Sequence, residues 1–198
     1  TTNTPVLARN GTTDTTVSYF KVREITGIHA SQATSGYRPI LRQASGKYYL
    51  QFDGTDDRLT GTAPFTNTDD HVAVVTVKPT TLDTVYRRPF SIGGAGTAAC
   101  CDLQVRSTET TINWTDDAAV NRGVGLPALS TAAPSIITMQ RVGSTLRARL
   151  NGGSGVETPV ATLGVSTVTT MVLGDRIGTG RVLIGNLYPV LPIKGTLS

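Results

Sequence analysis

The sequence predicts an all-β fold, an antiparallel β-sandwich or jelly roll, on three observations. Apolar and polar residues alternate with period two in stretch after stretch, as in Tyr48-Tyr49-Leu50-Gln51-Phe52-Asp53. These stretches are short and are bounded by Gly, Pro, Asn and Asp turn signals. No stretch of useful length carries the i, i+3, i+4, i+7 repeat of an amphipathic helix. Composition agrees: 21 of 198 residues are Gly, 38% are hydrophobic, and Thr and Val, which suit pleated surfaces, are frequent.

Taken in order, the first expected strand is Thr16–Val22. Pro39–Leu41 and Lys47–Asp53 form a pair around the turn Ala44-Ser45-Gly46. Asp53-Gly54 makes a second tight turn, because Gly accepts φ > 0 and Asp bonds its own backbone. Arg58–Thr62 follows and Pro64 ends it. His71–Lys78 is nearly continuously apolar, so it is expected centrally with both faces covered. Val85–Ile92, the loop Gly93–Gly96 and Cys100–Arg106 come next. The stretch from Asp116 to Ala133 reads as a long loop. Ser135–Arg141 and Thr145–Asn151 flank a compact turn, with Leu146, Ala148 and Leu150 on one face and Arg147 and Arg149 on the other. Asn151-Gly152-Gly153 turns the chain again. Val168–Leu173 and Arg181–Tyr188 are the last expected strands. No repeat or linker divides the chain, so residues 1–198 read as a single domain.

Formal net charge is +4, but the positive residues are scattered rather than gathered on one stripe, which argues against a nucleic-acid partner. No apolar run approaches the roughly 20 residues that span a bilayer, and no signal peptide is visible. The chain opens on Thr1 rather than Met, as a processed product or a piece of a longer one would. Cys100 and Cys101 are adjacent, a spacing that strains a disulfide, so both are expected as thiols and the fold is not expected to depend on cross-links.

Three blocks, residues 27–34 with Arg38-Pro39, residues 52–57, and Leu173-Gly174 with residues 184–188 and 195–198, resemble in that order the phage-tail branch of the concanavalin A-like (laminin G-like) β-sandwich superfamily. The first is Gly27-Ile28-His29-Ala30-Ser31-Gln32-Ala33-Thr34 with Arg38-Pro39, similar to the segment that precedes that family's FDG strand. The second is Phe52-Asp53-Gly54-Thr55-Asp56-Asp57. The third is Leu173-Gly174, then Ile184-Gly185-Asn186-Leu187-Tyr188, ending Gly195-Thr196-Leu197-Ser198. The resemblance implies a concanavalin A-like jelly roll whose first strand is missing or divergent, since the chain begins Thr1-Thr2-Asn3-Thr4-Pro5. Aromatic content, 6%, is below what the family carries.

Glycoside hydrolysis needs two carboxylates flanking a cleft. Glucanases of this superfamily place theirs as E-x-D-x-x-E, a motif absent here, and Glu24, Glu109 and Glu157 stand alone. A Ser-His-Asp hydrolase needs a positioned His. Of His29 and His71, the latter opens a strand beside Asp69-Asp70 and reads as a surface residue. The carboxylates Asp53, Asp56 and Asp57, and Asp175 at another turn, are of the kind calcium favours. Turn chemistry accounts for them, and no metal or cofactor is expected. The best sugar-binding candidate is Trp114 with Asn113, Asp116 and Asp117, provided the only Trp faces outward; inward, it fills the core. The missing acid–base pair and triad point to a non-enzymatic protein, and the resemblance implies a virion module of a phage, in a tail fibre or tail spike, contacting a host-surface glycan and other virion proteins, most simply as a trimer. It would be assembled in the bacterial cytoplasm. Capsid decoration and a bacterial surface adhesion domain are the alternatives.

Overall fold

The computed structural model describes residues 30–65, 69–93, 99–115, 121–159, 170–175 and 181–196. The expected strand Thr16–Val22, His29 and the pair Asp116 and Asp117 lie outside them. A short 3-10 turn, Ser35–Tyr37, precedes the strands. These are β1 (Ile40–Ala44), β2 (Lys47–Asp53), β3 (Leu59–Thr62), β4 (His71–Pro79), β5 (Arg87–Gly93), β6 (Ala99–Val105) and β7 (Glu109–Thr115). β8 (Asn121–Pro127), β9 (Ser135–Val142), β10 (Thr145–Leu150), β11 (Val156–Pro159), β12 (Thr170–Leu173) and β13 (Ile184–Lys194) complete them. Among the described residues no helix is long and apolar enough to cross a membrane.

The strands form two antiparallel sheets. One has seven strands in the order β1-β2-β13-β4-β9-β10-β11, the other six in the order β3-β12-β5-β6-β7-β8. β4 lies at the centre of its sheet, as its apolar run predicts. Its inward residues His71, Ala73, Val75 and Val77 are fully buried, whereas Val74, Thr76 and Lys78 on the outer side are only half-covered. Phe90, Ile92, Leu103, Ile112 and Trp114 face them from the six-stranded sheet. Each such side chain, fully buried, stabilises by roughly 1.5–3 kcal/mol.

The turns follow their residues. Ser45 and Gly46 between β1 and β2 both have positive φ, 50° and 75°, the pairing that matches strand twist in a two-residue hairpin. Leu146 and Ala148 of β10 are buried and Arg149 is exposed, the alternation read from the sequence. The stretch expected as a loop from Asp116 to Ala133 instead contains β8, paired along β7 from Glu109↔Pro127 to Thr115↔Asn121. Val124 and Leu126 point into the core from it. Gly123, Gly125 and Pro127 disguise it, and those residues are tolerated because β8 is an edge strand.

Candidate functional site

Parts of the three family-like blocks, residues 30–34 with Arg38, 52–57, and Gly174 with Ile184, meet in one corner, whereas Gly195 lies at the other end of β13, bonded to the Asp70 carbonyl. Gly54 has φ +85°, and a β-carbon on it would run into Ile184 of β13 well inside van der Waals contact. A β-carbon on Gly174 would likewise strike the Phe52 ring. Asp53 Oδ1 accepts the Thr55 N–H at 2.8 Å, and Asp57 Oδ2 accepts the Asp53 N–H at 2.9 Å. Gln32 Nε2 donates to the Arg58 carbonyl at 3.2 Å, while Arg38 donates to the Gln32 and Ala33 carbonyls at 2.8 and 2.9 Å. Arg58 then lies over the Tyr37 ring and 3.9 Å from the buried Asp175. The motif residues thus act together as a clasp that sets β2 against β13.

Asp53, Asp56 and Asp57 bring carboxylate oxygens within 4.8 Å of one another. Two of the three already accept turn N–H groups, which is the turn role expected of them. Burial pushes the Asp57 carboxyl above its usual range, and the neighbouring Asp53 and Asp56 charges push the same way against the Asp53 N–H bond. Asp175 does not join this group.

The structure corrects two expectations. Trp114 is 0% exposed, so its ring is core and offers no stacking surface. Its partner on the same strand, Asn113, donates to Asp102 at 3.3 Å. His71 is not a surface residue: it too is 0% exposed, stacked on Phe65 with ring centroids 4.0 Å apart. Its Nδ1 lies 2.8 Å from the Asp69 carbonyl, so it carries the proton there, leaving Nε2 to accept from Trp114 Nε1 at 3.3 Å. That bond crosses the core from one sheet to the other. Burial lowers the His71 pKa to about 4, helped by Arg141 and opposed by Asp69.

The described glutamates are committed to ion pairs. Glu109 accepts from Tyr86 Oη at 2.9 Å and pairs with Arg106, and these bonds hold its carboxyl below the usual range. Glu157 pairs with Arg147 across β10 and β11. They stand on different sheets, and only Glu157 lines a described pocket.

A cleft of about 650 Å³ opens beside the clasp. It exists because β13 stays beside β2 only from Ile184 to Leu187, and its register against β4 then shifts between Leu187 and Val190. Tyr188 and Pro189 occupy the shift. Buried Met171 and Leu187, with half-buried Leu50 and Leu173, form the floor. Leu41, Tyr48 and Leu191, 65%, 60% and 56% exposed, stand at the mouth. Tyr49 and Tyr188 line the same cleft with their rings 5.4 Å apart. Among the described residues no lining side chain is charged, and the three tyrosine hydroxyls are the only side-chain hydrogen-bonding groups. Sequence reading passed over these tyrosines, though a signal was present. Adjacent Tyr48 and Tyr49 on one strand must point to opposite faces, so one ring is left outward.

No protein-family profile matches the chain. No curated protein sequence matches it either. Solved structures do. The binding domain of Paraclostridial mosquitocidal protein 1 superposes with a TM-score of 0.66 at 8% identity, covering 87% of this chain and 45% of that one. The CBM40 of the Ruminococcus gnavus IT-sialidase, bound to α2,3-sialyllactose, gives 0.55 at 13% identity, covering 66% and 79%. Domains LG4-5 of the mouse laminin α1 chain give 0.59 at 12% identity, covering 82% and 46%. The chain thus spans less than half of the toxin and laminin structures. At these identities the likeness is one of fold alone, the antiparallel two-sheet jelly-roll β-sandwich that these binding and laminin domains share with this chain.

Proposed function

We propose that this protein is a non-enzymatic module of a bacteriophage virion, carried in a tail fibre or tail spike, that contacts a glycan on the host surface. The observation that carries the reading is the open cleft, concave and uncharged, with three tyrosine rings around it. Two further facts support it. The described glutamates are held by arginines rather than poised for acid–base work. The residues of the phage-like blocks form one structural clasp at the side of that cleft. Virion proteins are the other partners, and the module works as a trimer.

A specific feature favours capsid decoration as the second reading. Ile40, Ile136, Val142 and Leu191, all 44–56% exposed, stand on the outer face of the seven-stranded sheet, where a flat neighbour could cover them. Immunogold labelling of purified virions separates the two. Label at tail tips supports the first reading, label across the shell supports the second, and unlabelled particles overturn both.

A further inference from the structure

We propose that the cleft between β2 and β13 binds a neutral saccharide carrying apolar substituents, such as deoxy-methyl or N-acetyl groups, and excludes acidic sugars; this rests on the glycan-contact reading above. The first argument is charge. A sialic acid or uronate carboxylate taken into a protein site needs a cationic or N–H-rich partner to offset its desolvation. Among the described residues this cleft is lined by no Arg or Lys. Arg42, on the hairpin that forms one wall, stands on the Tyr49 side of it, and its Nε–H is engaged by Gln51 Oε1 at 3.0 Å. The second argument is shape and surface. Tyr49 and Tyr188, with rings 5.4 Å apart, offer ring faces to the C–H side of a pyranose and hydroxyls to its rim, while Tyr48 lines the cleft from the other face of β2. Leu41, Leu191, Pro189 and Pro192 at the mouth match methyl groups rather than bare hydroxyls.

The third argument separates a sugar from an extended peptide. A peptide would be held by adding a strand to the part of β13 that β2 leaves. Pro189 and Pro192 remove two N–H donors from that stretch, so a ladder there is broken before it starts. A ligand held by rings and methyl contacts does not need those donors.

The test uses the purified full chain on an immobilised panel of fucosylated, rhamnosyl and N-acetylglucosamine oligosaccharides, with sialyllactose and malto-oligosaccharides alongside. Neutral substituted saccharides are expected to bind, with Tyr48→Ala and Tyr188→Ala each weakening them about tenfold or more. Both side chains reach the cleft from its surface, and an unchanged melting temperature verifies that each variant is folded. Leu41→Arg is expected to weaken neutral binding and admit sialyllactose. Preference of the unmodified protein for sialyllactose, or neutral binding untouched by both tyrosine variants, overturns the site and leaves glycan contact standing. Failure to bind any saccharide overturns both. Self-association that Tyr48→Ala abolishes also overturns the proposal, because a second copy would then fill the cleft.

Discussion

Acid should unfold this protein through His71. The imidazole is fully buried, with Nδ1–H on the Asp69 carbonyl and Nε2 accepting from Trp114. Protonating Nε2 breaks the Trp114 bond and places a cation beside Arg141, which pairs with His71 across β4 and β9. Burial above all, with Arg141 pushing the same way and the Asp69 carbonyl bond opposing, lowers the pKa from 6.5 to about 4. Between those values the unfolded chain binds a proton that the folded one refuses. Stability therefore rises with pH through the window and is fully present above about 6.5. A gap of about 2.5 units at 1.36 kcal/mol per unit gives a loss of about 3 kcal/mol as pH drops from 7 to 4. That is a large share of the ~5–15 kcal/mol that holds an ordinary domain. Urea unfolding followed by circular dichroism at pH 7, 6, 5 and 4 measures it, with His71→Gln as reference because its amide keeps an acceptor for Trp114 and does not titrate. The native protein should lose about 3 kcal/mol more than the variant. Parallel curves for the two would refute the argument.

Three further outcomes are expected. Gly54→Val combines a β-branched residue at φ +85° with a clash on Ile184, and should cost more than about 2 kcal/mol in thermal unfolding; Asp53→Ala, losing one turn bond, should cost nearer 1 kcal/mol. Arg88→Ala leaves the buried Asp102 carboxylate without the cation now 2.9 Å away, and should lower stability by about 3–5 kcal/mol in urea, with Gln104 and Asn113 still bonded to the carboxylate. Analytical ultracentrifugation at micromolar concentration should show a trimer, and a clean monomer would count against both virion readings.

The sequence was readable where local chemistry and long-range pairing agree. The period-two pattern of Leu146 to Leu150 survives unchanged, and Asn151 and Gly152 take the positive φ, 52° and 72°, that their turn demands. It was misleading where glycines mask alternation, as in β8, whose Val124 and Leu126 are buried between Gly123, Gly125 and Pro127. His71 looked solvated because Asp69 and Asp70 precede it, but it shares the buried face of β4 with Ala73 and Val75. Trp114 could have been placed by parity, since Ile112 two residues earlier shares its face and is buried. The cleft was the least legible feature. Its lining comes from segments as far apart as Ala30 and Pro192, and it depends on where β13 leaves β2, which no local pattern announces.

The position of β13 has a consequence for synthesis. It is the last described strand to be made, yet it lies third in the seven-stranded sheet, between β2 and β4. Until it emerges, β1–β2 and the β4–β9–β10–β11 group have no main-chain link to each other. The Phe52 and Val77 sides of the future core stay open in a nascent chain that holds every other described strand. Pairings this distant in sequence form late and slowly, since loop closure must come before any contact rewards it. A nascent chain that still lacks β13 is therefore a pair of half-sheets with apolar faces exposed, and closure of the sandwich awaits that strand. A protease pulse on stalled chains should find cleavage sites throughout β2 and β4 that vanish once Lys194 is clear of the exit tunnel.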